Sequence, residues 1–250
     1  MAGIQLAEHT WEEAVELLTE QSIILLPIGG GTKEHGPHLP LGTDLMVTEE
    51  LANRVFAVAE APLVLLPPLA YAFYPAFVDW KGSVSIQAET FKHFVGDIVR
   101  SFARHGVKKF LLLDGGVSTH FPLRILSYEL RNALGVMVAV TNIRGLGAEM
   151  EAEVCEQREG GHADESETSC MLAIRPDLVK LEKALAEYSS KIPHMYGEDG
   201  RLKVAVSGKM DSPHGINGDP TLATVDKGRQ ILEAMAQDIV KFVEAFAALP

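Results

Sequence analysis

The sequence predicts an α/β fold, a three-layer α/β/α sandwich with a mostly parallel central sheet. Short apolar runs alternate with amphipathic segments in the order β-α-β-α-β-α-β, and strands buried on both faces of a parallel sheet have this continuous apolar character. The apolar fraction of 47% excludes a disordered chain. A length of 250 residues without internal repeats or linkers predicts a single domain, residues 1–250.

The predicted elements follow one another closely in the first part of the chain. A short helix begins after Thr10, because Thr10 and Glu13 have the spacing of a capping box. Apolar runs predict strands over residues 23–28, 63–66, 109–113 and 136–141. Helical periodicity predicts helices over residues 47–59, 89–106 and 122–134. The apolar stripe of the second of these helices, which includes Phe94, should face the core.

The last part of the chain is less regular. Residues 186–220 are rich in Gly, Pro, Ser and charged residues and predict a loose region, in which residues 203–206 can form an edge strand. A long helix over residues 221–248 closes the predicted fold. Its periodicity places five apolar side chains in the core: Ile231, Met235, Ile239, Phe242 and Phe246.

Composition limits the class of protein. A net charge of −12 argues against a nucleic-acid partner, because a phosphate backbone attracts basic surfaces. Cys155 and Cys170 are too few for a disulfide framework and lack metal-ligand spacing, so a cytoplasmic location is expected. No apolar run approaches a membrane span, and the first residues do not have the form of a signal peptide. These features predict no membrane partner.

The most informative segment is residues 34–44, with the sequence EHGPHLPLGTD. It follows the first predicted core strand and the glycine turn 29–31, and the carboxyl end of a parallel strand is where open α/β sheets bind ligands. Carboxylate and imidazole ligands suit Zn²⁺, Mn²⁺ or Fe²⁺. The alternative is a set of solvated polar groups, but so many acids and imidazoles on one stiff loop favour a metal site.

Two further segments contain candidate functional groups. Residues 114–120, with the sequence DGGVSTH, follow another predicted core strand and should lie at the same sheet edge. Residues 160–169, with the sequence GGHADESETS, begin a helix. A helix dipole explains acidic residues at that position, but it does not explain His162. Helical spacing lets Asp164 and Glu167 share a face, with Glu165 on another.

These segments resemble the creatininase family of metal-dependent amidohydrolases. Residues 34–44 are similar to its pattern Glu-x-His-Gly-x-His-Leu-Pro followed by Asp, and residues 162–169 are similar to His-Ala-Gly-Glu-x-Glu-Thr-Ser. Residues 215–220 are similar to a Gly-Val-x-Gly-Asp-Pro turn of the same family. The resemblance extends from residue 23 to about residue 230. It implies a creatininase-like fold and a site with two adjacent metal ions, bridged by the Asp and a water molecule.

The resemblance also implies individual roles. The implied metal ligands are Glu34, His35, Asp44, His120 and Glu167, and His162 is implied as the proton donor to a leaving nitrogen. Asp44 is the implied bridging ligand. The sequence departs from the family pattern where Lys33 aligns with its Glu and where Gly116 aligns with a metal-binding His. We expect Glu34 and His120 to serve as ligands instead. The alternative for His120 is that it is only a polar residue at the N-terminus of a helix and binds no metal.

The segment 69–86 is rich in aromatic residues and has no clear period. It is either a loop folded onto the core or a wall of the substrate site or subunit contact. We predict substrate contacts from Tyr74, Trp80 and Ser118.

Taken together, the sequence predicts a metal-dependent amidohydrolase that cleaves a C–N bond of a small, cyclic amide with a metal-activated water. The predicted cofactor is Zn²⁺, alternatively Mn²⁺ or Fe²⁺, with one or two ions per subunit. Two alternatives stay open, a hydrolase of a lactone or C–C substrate and a metal-binding pseudoenzyme. A homo-oligomer is expected, and the family resemblance implies a hexamer.

Overall fold

The computed structural model describes residues 3–189, 194 and 204–250. Its one sheet has five strands: β1 (Ile4–Gln5), β2 (Ile23–Ile28), β3 (Leu63–Leu65), β4 (Lys109–Asp114) and β5 (Met137–Asn142). The strand order is β1-β3-β2-β4-β5, and every neighbouring pair is parallel. The predicted parallel sheet is therefore confirmed.

Eight α-helices connect and cover the strands within the described residues. They are α1 (Trp11–Leu17), α2 (Thr43–Val58), α3 (Ala88–Ala103), α4 (His120–Leu134), α5 (Ala148–Val154), α6 (Glu165–Ile174), α7 (Gly208–Asp211) and α8 (Val225–Ala247). Short 3₁₀ turns add Leu6–Glu8, Pro75–Phe77, Pro176–Leu178, Leu181–Lys183 and Pro220–Leu222. Thr10 caps α1 in the predicted capping box with Glu13. None of the described helices combines the length and apolar character that crossing a bilayer requires.

The sheet divides the core into two layers. Successive residues of a strand point to opposite faces. Ile23 and Leu25 of β2 accordingly pack with apolar residues of α2, α6 and α8, whereas Ile24 and Leu26 pack with those of α3 and α4. This arrangement confirms the three-layer α/β/α sandwich, and it explains why β2 is apolar along its whole length and β4 is apolar between its two end residues.

Several predicted boundaries and burials differ from the structure. β1 was not predicted, because two residues are too few to show a period, and α5 was not predicted either. α2 begins at Thr43 rather than at residue 47, which places Asp44 in its first turn. Phe94 and Phe242 are 49% and 40% exposed, since both lie at the edge of their helical stripes. Residues 204–206 are not a strand, and residue 203 lies outside the described residues.

The register of the sheet brings two of the candidate loops together. Ile28 at the end of β2 pairs with Asp114 at the end of β4. The loop that leads from β2 into α2 and the loop that leads from β4 into α4 therefore start side by side. The third candidate segment reaches the same edge through α6, which packs on α8.

The contact between α6 and α8 depends on Gly228. A Cβ atom at this position would lie 1.9 Å from the carbonyl oxygen of Ser169 in α6. Backbone atoms cannot move aside as a flexible side chain can, so only glycine permits this approach of the two helices. Because α6 carries Glu167, the spacing of the two helices also sets the position of a candidate functional carboxylate.

We expect Gly228→Ala to lower the free energy of unfolding by about 1–3 kcal/mol, the usual cost of overpacking. Gly96→Ala is the matched control inside α3, since its nearest atom is the mobile end of Arg100. There, the better helix propensity of Ala should leave stability unchanged or raise it by up to about 1 kcal/mol. Urea unfolding followed by circular dichroism measures both. Equal effects of the two substitutions would contradict the packing argument.

Candidate metal centre and acid–base pair

The centre of the site is Asp44, in the first turn of α2. Its Oδ2 atom lies 2.8 Å from Nζ of Lys33 in an ion pair, and its Oδ1 atom lies 2.7 Å from Nε2 of His35. All three side chains are almost completely buried. Burial alone would raise the pKa of Asp44, but the Lys33 ammonium and His35 outweigh it and hold that pKa below its usual range. Asp44 is therefore a buried carboxylate with partners at both oxygens.

His35 is held by oxygen atoms on both sides. Its Nδ1 lies 3.1 Å from the backbone carbonyl oxygen of Lys33, and its Nε2 faces Asp44. Without an ion, Nε2 donates to the Asp44 carboxylate. An ion bound at Nε2 would require the proton of His35 on Nδ1, donating to the Lys33 carbonyl, which is the usual arrangement of a metal-ligating histidine. The loop thus orients His35 as a ligand toward the interior of the site.

A tight turn before α6 presents the second half of the site. Asp164 is the N-cap of α6 and accepts hydrogen bonds from the backbone amides of Glu167 and Gly161, at 3.0 and 2.8 Å. Ala163 adopts a left-handed conformation with φ of 48°, and its amide donates to Oε2 of Glu167 at 2.6 Å. These bonds fix His162 and Glu167 relative to each other. Burial raises the pKa of Asp164.

The two halves meet at His162. The ring centroids of His162 and His35 lie 4.8 Å apart, and Nδ1 of His162 lies 3.9 Å from Oε2 of Glu167. His35, His162 and Glu167 each offer one ligand atom, and these atoms all lie within 4.8 Å of one another. Two imidazoles and a carboxylate form a donor set that Zn²⁺ accepts. Among the described residues, this is the cluster that has the dimensions of a metal site.

Glu34 forms an acid–base pair with His162. Oε2 of Glu34 lies 3.1 Å from Nε2 of His162, and the Glu34 carboxylate also accepts a close hydrogen bond from the amide of Gly36. Burial raises the pKa of Glu34 to about 7. Burial and the nearby Lys33 charge lower the pKa of His162 to about 3. Near neutral pH, the pair therefore holds its exchangeable proton on Glu34 rather than as a doubly protonated His162.

The other histidine of this loop is structural. Nε2 of His38 lies 2.8 Å from the hydroxyl oxygen of Thr168 on α6. Burial lowers the pKa of His38 to about 4, so the ring is neutral near neutral pH. The contact ties the first loop to α6.

Aromatic rings close one side of the site. The Phe77 ring centroid lies 4.7 Å from that of His162 and 4.8 Å from Nζ of Lys33. Tyr74 is buried, and burial raises its pKa well above the usual value. Its hydroxyl has no hydrogen-bond partner among the described residues. Trp80 lies farther out, with its ring 6.0 Å from Phe77. Phe77 was not predicted as a site residue, although it belongs to the aromatic segment that the sequence singles out.

The loop after β4 contributes differently from the prediction. Nδ1 of His120 lies 3.6 Å from Oδ2 of Asp114, whose pKa is raised by burial. The hydroxyl of Ser118 donates to the backbone carbonyl of Phe73 at 2.7 Å. A Cβ at Gly116 would lie 2.5 Å from Thr119 Oγ1 and 2.9 Å from Cε1 of the Tyr74 ring. No larger side chain fits at position 116, because Tyr74 fills the space.

Comparison with known proteins shows the family of the chain. The family model described as "Creatininase: Creatinine amidohydrolase" matches residues 7–243. The chain belongs to the creatininase family. It is 25% identical, over 96% of its length and 83% of the relative, to a protein of Thermotoga maritima named "3-dehydro-scyllo-inosose hydrolase". It is 28% identical, over 91% of its length and 86% of the relative, to a "Mycofactocin precursor peptide peptidase" of Mycobacterium ulcerans.

The fold is that of the solved creatininases. A mutant creatininase described as the "Zn-Zn type" superimposes with a TM-score of 0.80 at 22% identity, and the match covers 100% of both chains. The creatininase-like α/β/α fold predicted from the sequence is therefore confirmed. The chain is a hydrolase of this family, whose members are metal-dependent amidohydrolases.

The creatininase-like ligand set predicted from the sequence is only partly assembled. The structure brings together His35 and Glu167, and it adds His162, which was predicted as a proton donor. Glu34 turns toward His162. The other three predicted ligands, Glu34, Asp44 and His120, lie outside this cluster. Asp44 does not face an open position between two ions, because the Lys33 ammonium lies at Oδ2. His120 does not join the cluster, because it is directed toward Asp114.

The three residues predicted to contact substrate lie at different distances from the candidate metal-binding cluster. Tyr74 lies against Lys33 inside the site, whereas Trp80 is separated from His162 by Phe77. Ser118 has its hydroxyl engaged by the backbone. Their contacts with substrate stay predictions.

A small cavity opens beside Glu167 of the candidate metal-binding cluster. Its volume is about 120 Å³, and its lining includes Asp44, Glu167, Thr48, Val117 and Arg144. This volume is below the ~300–1,000 Å³ typical of pockets for drug-sized ligands. Arg144 was not identified from the sequence, since a single arginine after a predicted strand carries no distinctive pattern.

We expect Asp164→Ala to lower the free energy of unfolding by about 1–3 kcal/mol, because α6 loses its N-cap and two amides lose a buried acceptor. Asp164→Asn keeps one oxygen acceptor and should cost less. Asp177→Ala is the control, since it removes an exposed carboxylate paired with Arg175, and should stay within about 0.5 kcal/mol. Urea unfolding measures the three variants. An effect of Asp164→Ala no larger than that of the control would contradict the role of the cap.

Proposed function

We propose that this creatininase-family hydrolase cleaves the C–N bond of a small, cyclic amide with the help of one divalent ion, Zn²⁺ or alternatively Mn²⁺ or Fe²⁺. The observation that carries the proposal is the convergence of His35, His162 and Glu167, whose ligand atoms lie within 4.8 Å of one another. His35 and Glu167 would hold the ion. Bound there, such an ion supplies Lewis acidity to a carbonyl group and lowers the pKa of a water molecule.

His162 is the proposed proton donor to the leaving nitrogen. Its Nε2 is held by Glu34 at 3.1 Å, so the ring has a fixed orientation and a proton source on the side away from Glu167. Its Nδ1 lies 3.9 Å from Oε2 of Glu167, a residue that lines the cavity. A general acid must reach the leaving atom in a defined geometry, and the Glu34–His162 pair supplies that geometry. The competing role for His162 is that of a third metal ligand through Nδ1. The metal content of His162→Gln distinguishes the two roles.

The size of the cavity supports a small substrate, and the named relatives act on different substrates. A cavity of about 120 Å³ suits a small molecule or a small part of a larger one. The relatives are named as a 3-dehydro-scyllo-inosose hydrolase and as a peptide peptidase, so the family accommodates different substrates. A lactone or C–C substrate is the alternative within the hydrolases. A metal-binding pseudoenzyme is the alternative outside them, since Lys33 and Gly116 depart from the family pattern.

We expect two substitutions to separate metal binding from proton donation. Glu167→Gln should lower metal affinity at least 10-fold together with turnover, because the ion loses its carboxylate. His162→Gln should keep the ion and lower turnover by about 10²–10⁴-fold, the usual contribution of a general acid. Glu156→Gln, which removes an exposed carboxylate paired with Lys227, is the control. Metal analysis and a hydrolase assay measure both properties.

The assay is a screen of cyclic amides, formamides and lactones, each with Zn²⁺, Mn²⁺ or Fe²⁺. Loss of metal from His162→Gln would assign His162 as a ligand instead. Full activity of wild-type protein that contains no metal would contradict the proposed function. Metal binding without turnover on any substrate would favour the pseudoenzyme.

We also propose that the chain forms a homo-oligomer, with the hexamer that the family resemblance implies. Ile125 and Tyr128 lie one turn apart on α4 and are 54% and 60% exposed, and Phe94 on the adjacent α3 is 49% exposed. Neighbouring exposed apolar and aromatic side chains are typical of interfaces.

Ile125→Glu should therefore reduce the oligomeric mass measured by light scattering, because it buries a charge in the contact. Val58→Glu, at an apolar position on α2 that is 66% exposed, should leave the mass unchanged. A monomeric wild-type protein would contradict this proposal, and so would an unchanged mass of Ile125→Glu.

A further inference from the structure

Lys33 is a buried lysine inside the candidate active site. Its Nζ atom lies 2.8 Å from Oδ2 of Asp44, and both side chains are almost inaccessible to solvent. The ammonium also lies 5.3 Å from the ring centroid of Tyr74 and 4.8 Å from that of Phe77. Because the Phe77 ring packs on His162 as well, this charge belongs to the same group of side chains as the proposed metal cluster.

We propose that the Lys33 side chain, which contacts Oδ2 of Asp44, takes the place of a second metal ion, so that each chain binds one divalent ion rather than a pair. The inference rests on the proposed function, since it requires the ion held by His35 and Glu167. It assigns to a lysine of the chain a position that the family resemblance would give to an exchangeable ion.

The first argument is the state of Asp44. A carboxylate that bridges two ions needs both of its oxygens free to bind them. Here Oδ1 lies beside Nε2 of His35, the atom that would bind the proposed ion, and only Oδ2 is taken by Lys33. The single negative charge of Asp44 is already balanced by the ammonium, and a divalent ion at Oδ2 would lie directly against that ammonium in a buried environment. Like charges in contact inside a protein are strongly unfavourable, so the two cations exclude each other.

The second argument concerns the side of Asp44 that faces Tyr74. A side chain at Gly116 would collide with Thr119 and with the Tyr74 ring, so an imidazole cannot enter from this position. His120, the next histidine along this loop, is directed toward Asp114. Near Tyr74 the described residues offer its hydroxyl and the Asp114 carboxylate, but these do not form a group of three ligand atoms of the kind found at His35, His162 and Glu167.

The third argument is the contrast between the surroundings of His35 and those of Oδ2 of Asp44. His35, His162 and Glu167 form a cluster of ligand atoms within 4.8 Å of one another. The site is therefore asymmetric: His35 belongs to a group of donors for one ion, whereas Oδ2 of Asp44 faces a lysine. This asymmetry predicts that each chain binds one divalent ion.

The test counts ions on the full-length protein. The protein is freed of metal with a chelator, incubated with excess Zn²⁺, passed through gel filtration and analysed for zinc per chain by mass spectrometry. We expect one zinc ion per chain for the wild type and for Lys33→Arg, which keeps the cation. Lys33→Glu removes the ammonium and adds a carboxylate beside Asp44, so its count should rise toward two.

A matched control separates the position of Lys33 from the loss of a lysine in general. Lys92→Met removes another poorly exposed lysine, which is paired with Glu129 at 3.0 Å outside the site, and its count should stay at one. Circular dichroism establishes which variants are folded. The wild-type count does not depend on any variant, so the inference remains testable if Lys33→Glu does not fold.

Each outcome bears on a different statement. Two zinc ions per wild-type chain would overturn the role of Lys33 while leaving a metal-dependent hydrolase intact. A count of one in both the wild type and folded Lys33→Glu would also contradict it. No zinc in the wild type would contradict the proposed function itself.

Discussion

The structure depends on the neutralisation of one buried carboxylate, that of Asp44. An ionised carboxylate removed from water is tolerated only when it is paired and hydrogen-bonded. Lys33 and His35 meet this requirement from the loop that immediately precedes α2. The carboxylate and both of its partners therefore lie within twelve consecutive residues. Removing one partner of such a buried pair typically costs about 3–5 kcal/mol, because the other charge stays behind. The loop therefore has one strongly preferred conformation, and that conformation orients His35.

A second constraint brings distant parts of the chain to this loop. The parallel sheet places the ends of β2 and β4 side by side, and α8 positions α6 through the close contact at Gly228. The backbone of His162 is in turn paired with that of Asn217, with the amide of Asn217 donating at 2.8 Å. Three segments that lie far apart in the sequence thus share one rigid framework. The chemistry of the site needs this rigidity, because proton transfer and metal binding both depend on fixed distances.

The fold could be predicted from the sequence because its signals are local. The continuous apolar run of β2 has the same bounds in the structure as in the prediction, and the four predicted strands are all present. The parts that were missed lack such signals. β1 has two residues, and the turn Pro75–Phe77 that carries Phe77 has no hydrophobic period. Phe94 fits the apolar stripe of α3 and is nevertheless exposed, because periodicity gives the direction of a side chain and not what covers it.

The candidate site was predictable as a set of segments but not as a set of contacts. Residue types and spacing indicated the loop after β2 and the start of α6, which meet at His35, His162 and Glu167, whereas the equally indicated loop after β4 supplies none of these ligand atoms. Which oxygen meets which nitrogen depends on the turn geometry of each loop, and this geometry has no sequence pattern. Lys33 illustrates the limit. A lysine next to a predicted metal ligand suggests an exposed charge, and only the folded loop shows that its ammonium reaches Asp44.

A lysine and a metal ion are not equivalent cations. The difference determines which group of such a site could stabilise negative charge and which could activate water. An ammonium carries one positive charge and donates hydrogen bonds, so it can stabilise negative charge on a substrate oxygen. It cannot lower the pKa of a bound water molecule as a divalent ion does. If Lys33 takes the place of one ion, the activation of water is left entirely to the ion that His35 and Glu167 would hold. The cluster then has to lie beside the proton donor, and His162 lies there, between Glu34 and Glu167.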